Sequence, residues 1–480
     1  MDADALTFNG IDGTTGDYLL ALQPKEIAAL WQGETVDPDH LRDLRERNQR
    51  AKEDVFAAMP GVDTSDLAEA GWGIIFPHDS DPAIEGALAK LIDHRREQAE
   101  MTDKRRFKIF RGVDGYQPEE KPLEFLVRHG SGYGYADPDE LPFYLLLVGD
   151  PTQIPFSFQY QFDVQRAVGR IAFDSVEGYE QYATSVVQTE KAEPRPRTAT
   201  FFGVRNADDP ATNLSATALV APLAERIGEK CPNWKDGIRT VLGADATKAQ
   251  LGRLLGGDET PTFLFTASHG MGFPKDHARQ HEDQGALLCQ DWPGPKAWRG
   301  HGEIPKDFYL AADDIPDDAQ LRGMMAFHFA CYGAGTPSQN DFAHLKLKEP
   351  MEIASAAFVA ALPRRLLGHP GGSALAVIGH VERAWSYSIA WDGDPRLNAF
   401  IATLQLLLEG QPVGAALDAF NLQYAELSSL LAEEWKQARF GKVIDEAYVS
   451  RLWTADNDAR SYVIAGDPAV RLNTSDTPAL

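Results

Sequence analysis

Short apolar runs alternating with amphipathic stretches set the rhythm of this chain. Runs at Gly73–Pro77, Phe143–Gly149, Ala199–Val204, 238–242, Phe263–Ala267, Met324–Ala330 and Ala374–Gly379 have the length and apolar content of buried strands. Between and after them the spacing predicts helices at about 177–191, 213–228, 247–255, 352–367, 396–409 and 413–438. Earlier, the pattern predicts a helix over 39–59, and Pro82 opens another through about Arg95, with Ile84, Leu88, Leu91 and Ile92 on one stripe. Strand–helix alternation of this kind implies an α/β chain whose mostly parallel sheet is covered on both faces. The segment Glu193-Pro194-Arg195-Pro196-Arg197 is the best linker candidate. It divides the chain into a smaller α/β subdomain, 1–195, and a larger α/β unit, 196–480.

Two of the strands end in residues capable of catalysis. The first runs into Ser268-His269-Gly270, the second into Ala330-Cys331-Tyr332-Gly333. Neighbouring parallel strands open their carboxyl ends onto one crevice, where such folds place ligands. His269 and Cys331 can therefore face each other as base and nucleophile. A free thiol is mostly protonated at neutral pH and needs such a neighbour.

This pair of strand ends resembles the signature of the caspase-like (clan CD) cysteine peptidases. Phe143–Asp150, Ile154-Pro155, Asp163 and Val168–Ile171 are similar to the first subdomain of gingipain-type peptidases, from about residue 140. Val463–Leu472, with Gly466-Asp467-Pro468, resembles the closing strand of gingipain and bacterial CHAT protease domains. The resemblance implies a caspase-like three-layer α/β/α sandwich and a cysteine endopeptidase acting through an acyl-enzyme. It implies Cys331 as nucleophile, His269 as acid/base, and an oxyanion hole from the backbone amides of Gly270 and Cys331. Glycine suits position 270, where close backbone approach leaves no room for a β-carbon. An acid against the histidine is also implied, but no local motif identifies it. Asp150 and Asp163 read as turn residues.

In such peptidases the primary pocket is lined by two loops, here Arg205–Asp209 and Gly379–Trp385. Asp208, Asp209 or Glu382 would select a basic P1 side chain, with Trp385 as a wall; Arg205 or Arg383 would select an acidic one. Carboxylates outnumber arginines there, which favours basic P1. The insertion from Met271 to about Leu310, with Trp292 and Trp298, is the candidate substrate groove.

Composition narrows the field further. At 480 residues and 43% hydrophobic, the chain suits two or three globular domains rather than disorder. A net charge of −25 disfavours nucleic acid as a partner. No apolar run is long enough for a membrane span, and the amino terminus lacks a secretory pattern. With only Cys231, Cys289 and Cys331, disulfide stapling is not expected, so a cytoplasmic setting is. That departs from the gingipains, which are secreted. His277 and His281 read as loop residues rather than metal ligands, and His328 and Cys289 as core. No cofactor or metal is implied, though the many carboxylates leave room for a structural calcium ion. The expected partner is a protein substrate, with an activating partner or ligand left open. The rival from another class is a non-catalytic interaction protein on the same fold.

Overall fold

The computed structural model describes residues 9–19, 58–132, 134–339, 352–384, 389–391, 394–395, 397–439 and 445–474. One ten-stranded sheet organises them. Its strands, numbered along the chain, are β1 (Trp72–Ile75), β2 (Phe107–Phe110), β3 (Tyr144–Val148), β4 (Ala167–Ile171), β5 (Ala199–Gly203), β6 (Ile238–Leu242), β7 (Phe263–Ala267), β8 (Met325–Phe329), β9 (Ala376–His380) and β10 (Tyr462–Gly466). Across the sheet they run β2-β1-β3-β4-β10-β9-β8-β7-β5-β6. Every neighbouring pair is parallel except β10 with β9.

Strands buried on both faces need continuous apolar runs, and these have them. Along β3, Tyr144, Leu146 and Val148 face the main core, joined by Leu91, Ile92, Tyr182 and Val186 from helices Ala89–Ala99 and Val176–Glu190. Leu145 and Leu147 point the other way, into a cluster with Phe125, Phe158 and Phe162 from helices Pro122–Arg128 and Phe156–Phe162. In the second half, Phe400 of helix Asn398–Leu408 packs on Phe265, Phe327 and Phe329. The architecture is the mixed α/β sandwich that the alternation predicts.

The linker expected at 193–197 does connect two sets of strands, but the sheet is continuous across it. Closing strand β10 returns to pair with β4 of the first half and with β9 of the second. The turn after it locks the seam. Asp467 accepts hydrogen bonds from Arg95 Nε at 2.8 Å and Trp72 Nε1 at 3.0 Å. Arg95 also grips Glu190 with both terminal nitrogens, at 2.6 and 2.9 Å, and all three side chains are buried.

Several elements differ from expectation. The helix over 39–59 falls almost wholly outside the described residues. The helix expected at 352–367 begins only at Ala361, because Phe358-Val359 pairs as a short strand with Gly335-Thr336. The helix opened by Pro82 breaks at Leu88 into Pro82–Ala87 and Ala89–Ala99. The 271–310 insertion forms a small sheet together with Gly10–Asp12, over a core of Ile11, Met271, Leu288, Trp292, Ile304 and Tyr309. Among the described residues, no helix is long and apolar enough to cross a membrane. No cluster of three metal-ligating side chains occurs among them either.

The seam carries two expected outcomes. Arg95→Met strands two buried carboxylates and is expected to cost about 3–5 kcal/mol in urea unfolding. Burial works to raise the Glu190 carboxyl, but the Arg95 charge and the bonds from His94 and Arg95 overcome it, holding the pKa at about 2. Because the folded value is depressed, this stabilisation is complete above the ordinary value of 4.5 and is lost as pH falls toward about 2. An acid titration of unfolding free energy checks it; the loss should vanish in Glu190→Gln.

Candidate active site

Strands β7 and β8 pair in parallel, with Ala267 opposite Phe329, so their carboxyl ends lie side by side. Beyond those ends stand His269 and Cys331, both fully buried. The two loops touch through their backbones. A Cβ built on Gly270 would fall 1.8 Å from the Cys331 carbonyl oxygen. Glycine is therefore required at 270 by the neighbouring peptide. Tyr332, directly after the cysteine, holds a left-handed φ of 58°, its N–H donating to the Glu382 carbonyl at 2.6 Å. Such strain costs about 1–3 kcal/mol and concentrates at functional sites.

The amides of Gly270 and Cys331 converge on one oxygen, the backbone carbonyl of Asn9, at 2.9 and 3.0 Å. The Asn9 N–H donates to the Ala384 carbonyl at 2.9 Å, and the Ala384 N–H donates to Cys331 Sγ at 3.3 Å. The site thus encloses a peptide group of its own chain. Burial pushes the Cys331 thiol well above its ordinary value, so in this closed state it is held as S–H.

His269 Nε2 lies 2.5 Å from Asp209 Oδ2. Its Nδ1 is buried and has no hydrogen-bond partner among the described residues. Asp209 caps the helix that starts at Pro210, accepting from the Ala211 N–H at 3.2 Å and the Thr212 hydroxyl at 2.7 Å. The Tyr18 hydroxyl donates to its other oxygen. Burial alone would raise the Asp209 carboxyl; the His269 charge and these hydrogen bonds overcome it and hold the group well below the usual range. The rings of Tyr18 and Trp292 meet the imidazole edge-on, at 5.8 and 6.4 Å.

Asp209 therefore departs from its expected place in a P1 pocket: its carboxylate is spent on His269. Asp208 is exposed and pairs with Lys296 at 3.0 Å. Glu382 is buried against Arg383 at 2.6 Å. Trp385 lies outside the described residues. Arg205 reaches Asn213 Oδ1 and joins Asp208, Asp209 and Lys296 around a cavity of about 480 Å³, which neither His269 nor Cys331 lines. Asp150 and Asp163 bond to nearby backbone amides, those of Thr152 and Val168. His277 stacks on Phe273 and His281 packs on Phe358. His328 is buried against Thr266, and Cys289 is buried. The helix-start pattern Asp209-Pro210 beside a strand end was the available signal for the acid. Asn9 and Tyr18 had none, since they arrive from the far end of the chain.

Gly270→Ala is expected to lose at least about 2 kcal/mol in urea unfolding, because the methyl group meets backbone rather than a movable side chain. An unchanged midpoint would mean that the two loops separate freely.

No family model matches this chain, and no curated protein matches it either. Solved structures do. The chain is similar to the Arg-specific cysteine proteinase gingipain R (RgpB), at 12% identity and TM-score 0.43, covering 85% of this chain and 79% of that one. It is similar to the complex of Porphyromonas gingivalis RgpB pro- and mature domains, at 14% identity and TM-score 0.47, covering 84% and 79%. The Saccharomyces cerevisiae separase–securin complex aligns at 11% identity and TM-score 0.31, covering 92% of this chain and 23% of that one. Identities this low speak to neither activity nor specificity.

Proposed function

We propose that this chain is a cysteine endopeptidase acting on a protein substrate. The observation that carries it is the Asn9 peptide carbonyl, gripped by the Gly270 and Cys331 amides beside a cysteine and an acid-held histidine. Donors 2.9–3.0 Å from a carbonyl oxygen suit an oxygen that gains charge when the carbon is attacked. Cys331 Sγ adds to that carbon as its proton passes to His269 Nδ1. Asp209, bound at Nε2, fixes the orientation of His269, which leaves Nδ1 to pass a proton to the departing amine. Water then hydrolyses the thioester and restores the thiol.

A basic P1 residue, the preference read from the sequence, would need a carboxylate facing the pocket. Asp208, Asp209 and Glu382 are each engaged by Lys296, His269 and Arg383, and this argues for selection by other means.

Cleavage-site mapping on a cell-derived peptide library tests the reading. Wild type is expected to cut and Cys331→Ala to be silent; cuts persisting in that variant would overturn it. Asp209→Asn is expected to lower kcat by about 10²–10⁴, with KM little changed.

A further inference from the structure

We propose that the site is specific for asparagine followed by glycine, and that its first substrate is the chain's own Asn9–Gly10 bond. The proposal rests on the peptidase reading above and adds to it a substrate class and a latent state.

The chain from Asn9 onward lies in the site as an extended peptide. Gly10–Asp12 pairs in parallel with Gly270–Gly272, and the Gly13 N–H continues the ladder to the Gly272 carbonyl at 2.7 Å. Adding a strand to an open edge is how extended peptides are commonly held. The sulfur lies against the residue that follows the gripped carbonyl: a Cβ built on Gly10 would come 2.7 Å from Cys331 Sγ. The bond between the oxyanion-hole residue and the residue under the sulfur is Asn9–Gly10. That Cβ would also come 2.8 Å from Leu19 Cδ1, so glycine is the residue that fits there without displacing a side chain.

The pocket around the Asn9 side chain reads as an amide site. Asn9 is 1% exposed. Its Nδ2 donates to the Ser268 carbonyl at 3.2 Å and to Ser215 Oγ at 3.4 Å. The Ser215 hydroxyl spends its own proton on the Thr212 carbonyl at 3.2 Å, so its oxygen faces Asn9 as an acceptor. Two acceptors select an N–H donor. An aspartate would set a carboxylate against a carbonyl oxygen and leave both acceptors unpaired, a penalty that sites built on such bonds turn into strong rejection.

The step balances within the chain and one water. Cys331 Sγ bonds to the Asn9 carbonyl carbon, the C–N bond to Gly10 breaks, and the Gly10 nitrogen leaves with the proton from His269. Water then cleaves the thioester, releasing residues 1–9 with a carboxylate on Asn9. The new Gly10 ammonium is a charge where the peptide was neutral, and the cost of keeping it buried favours movement of the cut end out of the cleft. Until then Cys331 is sealed and other peptides are kept out.

Intact-mass analysis of the purified full chain over time is the test, beside Cys331→Ala, Cys331→Ser and Asn9→Asp. Wild type is expected to lose residues 1–9 and start at Gly10. The cysteine variants should stay whole, and Asn9→Asp should be cut at least about 100-fold more slowly. A peptide with the sequence of residues 5–14 should be cut after its asparagine, and its aspartate and lysine counterparts spared. If wild type cuts library peptides after other residues while both Asn–Gly bonds stay intact, the inference fails and the peptidase reading stands. If wild type cuts nothing, both fail.

Discussion

The site depends on one constraint, the register of two parallel strands. Pairing Ala267 with Phe329 brings the loops after β7 and β8 so close that the peptides at 270 and 331 nearly touch. Only with that spacing do two N–H groups point at a single oxygen. A slip of one residue would turn His269 and Cys331 to opposite faces and part the amides. The aromatic stack of Phe265 and Phe327 beneath Phe400 holds the register from within the core. Packing far from the chemistry thus sets the chemistry's geometry.

Much of this was legible in the sequence, for a physical reason. Strands buried on both faces must be apolar throughout, so β3, β5, β7, β8 and β9 announce themselves as runs. The strand-end residues His269, Gly270 and Cys331 follow from topology, since parallel strands share a carboxyl edge. What escaped depends on long-range contacts. Helix Glu446–Arg460 has no simple stripe, because most of its described side chains are buried. Asp209 read as a pocket carboxylate from its loop alone; that it caps a helix while bonded to the histidine depends on where β5 lies relative to β7. Asn9 lies 261 residues from Gly270 in sequence, and no local pattern links them.

Cys331 is fully buried and held as S–H beneath a peptide of its own chain. Gly10 lies directly against the sulfur and Leu19 packs beside Gly10, both within the occluding segment. The raised thiol describes the closed state. In this covered state burial is the largest influence on the thiol and opposes the thiolate, against the Ala384 N–H that donates to the sulfur.

The occluding segment also acts on the other half of the machinery. Ile11 and Tyr18 bridge each other, so the strand that fills the oxyanion hole and the hydroxyl that bonds Asp209 form one hairpin. Tyr18 competes with His269 for the charge on that carboxylate. Asp209 thus shares its two oxygens among Tyr18, His269, Thr212 and the Ala211 amide. The segment that covers the sulfur and the hydroxyl that shares Asp209 with His269 are therefore parts of one element.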